Sequence, residues 1–325
     1  MSNIQNFGEK LLGNLEKVIM GKRQALELAT IGLLSQGHLL IEDVPGVGKT
    51  MLARSFAKSL DCTFNRIQFT PDMLPSDVTG VSIFNQQKRE FEFRAGPIMG
   101  QIVLADEINR ATPKTQAALL EAMEERQITV DGITHPLPKP FMALATQNPI
   151  EYEGTFPLPE AQLDRFLLRL RMGYPSPPEE VNILSGQQLK HPIETLTSVI
   201  TVKELLKAIT EVRAVFVSPI AQKYIVDLVG RTRRIADVYL GASPRGSLAL
   251  FRASQARAAL QGRDYVLPDD IKALAVAVLG HRIIVSPAAR LRELSADRIV
   301  QEIVHSVAAP GGEYRIVEKR KGKAT

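Results

Sequence analysis

A lysine and a threonine follow a Gly-x-Gly turn directly, at residues 46–50 of this chain. An apolar run at 39–41, typical of a buried strand, precedes the turn, and a helical pattern begins at Leu52. Strand, glycine loop, Lys-Thr and helix hold the phosphates of a nucleotide, because backbone N–H groups and a helix N-terminus attract anions. Lys49 is expected to reach the outer phosphates, and the Thr50 hydroxyl to hold Mg²⁺. The predicted nucleotide-binding loop consists of Pro45, Gly46, Val47, Gly48, Lys49, Thr50 and Met51.

One position departs from the usual phosphate-loop pattern, G-x-x-x-x-G-K-[ST]. The first glycine of that pattern falls on Asp43 in this chain. Pro45 and Gly46 are expected to shape the turn instead. An ordinary strand-to-helix turn is the competing interpretation, but it does not explain why a lysine and a threonine follow the glycines.

Two adjacent carboxylates, Asp106 and Glu107, end a second apolar run at 102–105. In an open α/β sheet, ligands bind at the carboxyl ends of the strands. There Asp106 would hold Mg²⁺, directly or through water, and Glu107 would polarise the attacking water as a general base. The competing interpretation is a strand that ends in a solvated acidic turn, which the phosphate loop upstream disfavours.

A third apolar run, at 143–145, leads through Thr146 and Gln147 to Asn148. The neutral amide of Asn148 can hydrogen-bond both the γ-phosphate and the attacking water without competing with a metal ion for charge. A simple Asn-Pro turn is the alternative for this position.

The order of the elements indicates an α/β fold followed by a helical region. Apolar strands alternate with helices as far as Tyr174, which favours a mostly parallel sheet covered on both faces. Two hairpins interrupt the alternation, one over 80–95 and one over 127–135 around an Asp-Gly turn. The predicted domains are a nucleotide-binding α/β core at 1–174, a Pro-rich hinge at 175–190, an all-helical lid at 191–312 and a disordered basic tail at 313–325.

The composition is that of an ordinary globular protein, with 45% hydrophobic and 23% charged residues. No run is apolar enough to span a membrane and no signal peptide opens the chain, so a cytoplasmic protein without membrane insertion is expected. Cys62 is the only cysteine, which excludes an internal disulfide and argues against a structural zinc. The net charge is only +5, and the tail segment 318–323 holds four positive charges against one negative, which is not the footprint of a nucleic-acid binder.

Taken together, these motifs resemble those of the MoxR family of AAA+ ATPases. The resemblance covers nearly the whole chain as far as residue 310, and the matching motifs occur in the family's order. They are residues 42–50, 104–111, 145–149, 153–166 and 243–245. The resemblance implies the AAA+ fold, which is a five-stranded parallel sheet flanked by helices, with β-hairpin inserts and a smaller helical lid. It also implies ATP and Mg²⁺ as ligands.

The resemblance assigns roles to four further positions. Asn148 resembles the sensor-1 residue, and Arg245 resembles the sensor-2 arginine of the lid. Arg165 lies where the family places the arginine finger, which reaches the nucleotide of the neighbouring subunit. Gly21 lies where relatives contact the adenine.

Alternatives stay open for both arginines. Asp164 and Arg165 could form a local ion pair of little energetic value. Arg110 or Arg169 could be the residue that acts on the neighbouring subunit instead. Arg245 follows a proline and could equally cap the helix that begins there.

The resemblance also implies a function. Relatives are typically hexameric rings in which ATP hydrolysis drives chaperone-like remodelling or maturation of partner proteins. The partners often carry a von Willebrand factor A domain, and metal or cofactor insertion is one known outcome. One alternative is a nucleic-acid-dependent motor of the related helicase branch, which shares the two hairpin inserts. Another is a nucleotide-gated scaffold that barely turns over.

The charge on the hairpins distinguishes chaperone-like remodelling from a nucleic-acid-dependent motor. The first hairpin carries Lys88, Arg89 and Arg94, but also Glu90 and Glu92. Tracking a phosphate backbone needs clustered lysines and arginines without interleaved carboxylates. The mixture argues against a nucleic-acid partner.

Overall fold

The computed structural model describes residues 3–148, 154–188 and 190–310. Packing divides these residues into two compact units, 3–210 and 211–310. The division falls within the helix Val202–Arg213, which is C-terminal to the hinge predicted at 175–190. The tail predicted at 313–325 lies outside the described residues.

The first unit is built on a five-stranded parallel sheet, as predicted. Its strand order is β2-β5-β8-β1-β9. Its central strands are buried on both faces, which a parallel sheet between helical layers requires. The strands of this unit are β1 (Leu39–Glu42), β2 (Phe64–Gln68), β3 (Gly80–Asn85), β4 (Glu90–Ala95), β5 (Ile102–Asp106), β6 (Gln127–Val130), β7 (Ile133–Pro136), β8 (Met142–Gln147) and β9 (Leu168–Leu170).

The strand order places three chain segments side by side at the carboxyl ends of the strands. β5, β8 and β1 are direct neighbours, and all three run in the same direction. Glu42 at the end of β1 is in register with Gln147 at the end of β8. The phosphate loop, the carboxylate pair and Asn148 therefore leave the sheet side by side.

Helices cover the sheet of the first unit. α3 packs against β2 and β5, and α2 packs against β9. The helices are α1 (Asn3–Leu15), α2 (Arg23–Leu34), α3 (Lys49–Ser59), α4 (Pro75–Thr79), α5 (Pro113–Glu125), α6 (Glu160–Leu163), α7 (Pro177–Gly186), α8 (Pro192–Thr195) and α9 (Val202–Arg213). The Pro-rich segment predicted as a hinge thus supplies the first turn of α7, where a capping box closes the helix N-terminus.

Both predicted hairpins are present. β3 pairs with β4, and β6 pairs with β7 around Asp131 and Gly132, whose φ angles of 50° and 79° suit a two-residue hairpin turn. The hairpins contact each other through Phe93 of β4 and His135 of β7, whose rings stack with centroids 4.0 Å apart. The two inserts therefore form one connected surface feature.

His38, one residue before β1, joins three elements of the first unit. Its Nε2 lies 3.0 Å from the Met123 carbonyl of α5, and its Nδ1 accepts a hydrogen bond from the Ala143 N–H of β8. Burial, assisted by the positive charge of Arg126, lowers the pKa of His38 to about 3. The imidazole is therefore neutral, with Nε2 as donor and Nδ1 as acceptor.

This neutral histidine makes folding stability depend on pH. In the unfolded chain this histidine is protonated below its ordinary pKa of about 6.5. In the folded chain it stays neutral down to about pH 3, so acidification favours the unfolded state. We expect this group to lower the free energy of unfolding by about 2 kcal/mol between pH 7 and pH 5. Denaturant unfolding at both pH values measures the effect. His38→Gln should be less stable at pH 7 but should lose less on acidification, and equal losses in both proteins would contradict the prediction.

The second unit consists of helices and one short β-ladder. α12 packs against α11 and α14. Its elements are α10 (Pro219–Thr232), β10 (Val238–Leu240), α11 (Pro244–Leu260), α12 (Pro268–Leu279), β11 (Ile284–Val285), α13 (Pro287–Leu291) and α14 (Ala296–Ser306). The antiparallel pair β10–β11 adds to the helical lid that the sequence predicted. Within the described ranges, no helix has the length and apolar character needed to cross a membrane.

Candidate nucleotide-binding site

The loop between β1 and α3 has the backbone that the glycine pattern predicted. Gly46 and Gly48 have φ angles of 84° and 92°, a region where residues with a Cβ are strained. Gly48 is the N-cap residue of α3, and Lys49 is the first residue of that helix. The Lys49 ammonium donates a hydrogen bond to the Asp43 carbonyl at 2.7 Å. A cation and a helix N-terminus thus meet at one loop, which favours a bound anion.

Asp43, the departure from the usual pattern, ties the loop to the chain that leaves β9. Its Oδ2 accepts hydrogen bonds from the backbone N–H groups of Met172 (2.6 Å) and Gly173 (2.7 Å). Its Oδ1 accepts one from the Val44 N–H at 2.9 Å. A glycine could make none of these side-chain bonds. The carboxylate therefore anchors the phosphate loop, while Gly46 and Gly48 supply the turn.

A cavity of about 210 Å³ lies beside the phosphate loop. Its walls include Met20, Val47, Met51 and Met172, and the remaining lining is largely apolar. Polarizable methionine side chains and an apolar wall suit a flat aromatic ring. The cavity is the natural place for the base of a nucleotide whose phosphates occupy the loop.

Gly21 borders this cavity between two of its lining residues, Met20 and Lys22. It has a φ of 72°, and a Cβ built there would lie 1.7 Å from Oε1 of Glu179. Lys22 donates from Nζ to the Tyr174 carbonyl at 2.7 Å. The Glu179 side chain is flexible and could move away from a Cβ, so the positive φ is the stronger reason for a glycine at this position.

Asp106 and Glu107 lie at the end of β5, as predicted. Asp106 is the last residue of the strand and is 8% exposed. Glu107 follows in the left-handed region, with φ 56° and ψ 49°, which is strained for a residue with a side chain. The Thr146 hydroxyl spans both residues, because it accepts from the Glu107 N–H and donates to Asp106 Oδ1. Thr146 thereby orients the Asp106 carboxylate and holds the backbone of Glu107.

Asn148 follows β8 directly and is 6% exposed. The residue before it is bonded to the phosphate loop, since the Asp43 N–H donates to the Gln147 carbonyl at 3.3 Å. Asn148 is therefore held close to the start of that loop. The structure brings together the loop, the carboxylate pair and the amide, which are the three features that the sequence singled out.

The oxygen donors at this edge fit Mg²⁺. Thr50 is the second residue of α3, and its hydroxyl and the Asp106 carboxylate are hard oxygen ligands. Among the described residues, no group of three or more His, Cys, Asp or Glu could enclose a metal ion. Mg²⁺ usually binds through one or two protein groups together with substrate phosphates, and Thr50 and Asp106 are groups of that kind.

The three arginines considered for action on a neighbouring subunit differ in exposure. The Arg169 side chain is 11% exposed and pairs with Glu42 at 2.9 Å. The Arg110 side chain is 41% exposed and its Nε lies 3.1 Å from Glu107 Oε2 of its own chain. The Arg165 side chain is 29% exposed, and its Nε lies 3.1 Å from Glu124 Oε2 on α5 rather than pairing with Asp164. Arg169 is the least suited to reach another subunit.

Arg245 lies in the second compact unit, at the start of α11. Its backbone N–H donates to the Ser243 hydroxyl, so Ser243 is the capping residue of this helix. The Arg245 side chain is exposed. Its sensor-2 role stays a prediction.

Three polar residues contact the acidic pair but were not predicted from the sequence as site residues. Arg66 donates from Nη2 to Asp106 Oδ2 at 2.7 Å, and Gln68 donates to Glu107 Oε2 at 2.8 Å. The Thr146 hydroxyl joins the Asp106 carboxylate to the backbone N–H of Glu107. Arg66 and Gln68 lie two residues apart on the edge strand β2, so the polar alternation of that strand could have marked them.

A parallel sheet in this order, with a phosphate loop after β1 and acidic residues after β5, which is separated from β1 by β8, defines the class of P-loop nucleotide-binding proteins. The model of the ATPase family associated with various cellular activities (AAA) matches residues 38–168. The AAA lid domain model matches residues 230–303. The two matches support the predicted AAA+ fold with a helical lid.

Known proteins narrow the class to a family. The uncharacterized protein YeaC of Bacillus subtilis (strain 168) is 56% identical over 301 residues, which cover 93% of this chain and 94% of the relative. Chaperone MoxR1 of Mycobacterium tuberculosis is 40% identical over 93% of this chain and 82% of its own length. A crystal structure from Cytophaga hutchinsonii, provisionally named an ATPase, has a TM-score of 0.87, 38% identity, and coverage of 94% of this chain and 96% of its own. The chain belongs to the MoxR family of AAA+ ATPases.

Proposed function

We propose that this chain hydrolyses ATP with Mg²⁺ and uses the cycle to remodel or mature partner proteins. The observation that carries the proposal is the meeting of the phosphate loop with Asp106, Glu107 and Asn148 at one edge of the sheet. Lys49 supplies a fixed positive charge for the outer phosphates, and Glu107 supplies a base for water. Mg²⁺, held through Thr50 and Asp106, would neutralise charge on the phosphates.

The assembly part of the proposal is a hexameric ring in which Arg165 of one subunit completes the site of the next. A head-to-tail interface generates a closed ring when its rotation closes. Nucleotide state at such an interface can then move surface loops. The chaperone activity named for the relative MoxR1 supports a protein client, and a von Willebrand factor A domain protein is the partner we expect.

The first hairpin supports a protein client over a nucleic acid. Lys88 is paired with Glu92, with Nζ and Oε1 2.5 Å apart. Phe84 and Phe91 stack edge to face near the turn with centroids 5.3 Å apart, and Phe91 is 74% exposed. The ion pair with Glu92 neutralises Lys88, which weakens its attraction to a phosphate backbone. The exposed aromatic pair favours contact with protein surfaces. DNA binding in the micromolar range or tighter at physiological salt would favour the helicase-type motor instead.

The phosphate-loop assignment is tested by Lys49→Ala. We expect this variant to lose measurable ATP binding, because the outer phosphates lose the cation beside them. Equilibrium titration with a fluorescent ATP analogue measures the affinity. Lys114→Ala is the matched control, since Lys114 is an exposed lysine near the start of α5. Undiminished affinity in Lys49→Ala would overturn the assignment.

A further inference from the structure

The Asp43 carboxylate is buried and holds three backbone N–H groups. Oδ2 accepts from Met172 at 2.6 Å and from Gly173 at 2.7 Å, and Oδ1 accepts from Val44 at 2.9 Å. The residue is 9% exposed, so water offers these groups little replacement. Hydrogen bonds to a charged acceptor are the stronger ones, and a buried N–H without an acceptor is costly. The carboxylate therefore fixes the spacing between the start of the phosphate loop and residues 172–173.

Met172 is part of the wall of the cavity beside the phosphate loop. It lines that cavity together with Pro175 from the same segment, and it is 5% exposed. A Cβ built on Gly48 would lie 3.8 Å from Cε of Met172, which is ordinary van der Waals contact, so the methionine packs next to the loop. The segment that Asp43 holds by its backbone is thus the segment that would face the base of a nucleotide.

The backbone of Asp43 serves the phosphate side of the same site. Its carbonyl accepts from Lys49 Nζ at 2.7 Å, and its N–H donates at 3.3 Å to the carbonyl of Gln147, the residue before Asn148. One residue thus contacts both the lysine expected at the outer phosphates and Met172 of the cavity wall. A glycine at position 43 would keep the two backbone contacts, since they need no side chain, and would lose the three bonds of the carboxylate.

Resting on the proposed function, we propose that the Asp43 side chain sets the distance between the base cavity and the phosphate loop, so that one nucleotide spans both. Two linked groups bind much more tightly than either alone when their subsites are held at the matching separation. Asp43 supplies that constraint through Met172 and Gly173. It is a positioning residue and touches no reacting atom. Restoring the glycine of the usual loop pattern should therefore weaken nucleotide binding.

The test compares ADP with its two halves. Displacement of a fluorescent ADP analogue from the full chain gives the dissociation constants of ADP, adenosine and pyrophosphate. Asp43→Gly should weaken ADP binding about 10- to 100-fold and each half less than about threefold, because each subsite survives while their spacing is lost. Asp72→Gly is the matched control, since Asp72 is an exposed aspartate in a turn, and it should leave all three constants unchanged.

Asp43→Asn is the conservative variant, because it keeps the shape of the side chain and one oxygen acceptor. Its NH₂ group cannot accept, so either the bond to Val44 or the bonds to Met172 and Gly173 are lost. We expect its ADP affinity to lie between those of the wild type and Asp43→Gly. Thermal unfolding shows whether each variant is folded, and Asp43→Asn carries the comparison if Asp43→Gly does not fold.

The pattern of losses decides the role of Asp43. Unchanged ADP affinity in the folded variants would overturn the proposal. An equal loss for ADP and pyrophosphate would mean that Asp43 only shapes the phosphate loop, and an equal loss for ADP and adenosine would mean that it only builds the cavity wall. Either result overturns the spacing role. Failure of the wild-type chain to bind ADP at all would instead overturn the proposed function, and the inference with it.

Discussion

Glu107→Gln should lower ATP turnover about 10²- to 10⁴-fold while ATP binding persists. The amide keeps the shape of the side chain but cannot take a proton from water. It can still accept the hydrogen bond that Gln68 now donates to Glu107, and the left-handed backbone at residue 107 is unaffected by the substitution. Fold and nucleotide affinity are therefore expected to survive.

Steady-state phosphate release measures the loss of turnover in Glu107→Gln. Equilibrium nucleotide binding, measured on the same preparation, shows whether ATP affinity is retained. Glu125→Gln is the matched control, because Glu125 is an exposed carboxylate at the end of α5 and should leave turnover unchanged. Near-normal turnover in Glu107→Gln would remove Glu107 from the role of general base.

The same variant distinguishes an ATP-driven machine from a nucleotide-gated scaffold. A scaffold needs binding but not turnover, so Glu107→Gln would support normal function in cells. A remodelling ATPase needs the full cycle, so the variant should abolish function in cells. We expect the second result, because Thr146 holds the backbone N–H of Glu107 and Gln68 holds its carboxylate, a defined arrangement that binding alone does not require.

The features that the sequence predicted well are local. The phosphate loop is set by Gly46 and Gly48, whose positive φ angles other residues rarely adopt. The strands that carry Asp106 and Asn148 are short apolar runs followed by polar residues, and a parallel sheet must bury such runs. Parallel strands then bring their carboxyl ends to one edge, which makes the meeting of these residues foreseeable.

The features that the sequence did not predict depend on pairs far apart in the chain. Arg66 and Asp106 are 40 positions apart, and Asp43 reaches N–H groups 129 and 130 positions away. Strand register decides which polar side chains face each other, and composition does not reveal register. Asp43 illustrates the consequence. In the sequence it departs from the first glycine of the phosphate-loop pattern, whereas in the structure its carboxylate anchors the phosphate loop.

Arg165→Ala should lower turnover about 10³- to 10⁵-fold if Arg165 completes the site of a neighbouring subunit. Its own chain loses only a partly exposed ion pair with Glu124, so the free energy of unfolding should change by less than about 1 kcal/mol. A large loss of activity without loss of stability would show that Arg165 has a functional and not a structural role. Arg110→Ala is the comparison, since Arg110 is the more exposed of the two remaining arginines.

Mixing of variants shows on which subunit the arginine acts. An Arg165→Ala subunit keeps Lys49 and Glu107, whereas a Glu107→Gln subunit keeps Arg165. An active site is restored where a Glu107→Gln subunit donates its Arg165 to a neighbouring Arg165→Ala subunit. In a random equal mixture about a quarter of the interfaces have this arrangement, so turnover per subunit should recover up to about a quarter of the wild-type value. A self-contained site gives no recovery, and turnover that is independent of protein concentration would contradict the ring. Recovery with Arg110→Ala but not with Arg165→Ala would transfer the role to Arg110, whose ion pair with Glu107 would then have to open at the subunit interface.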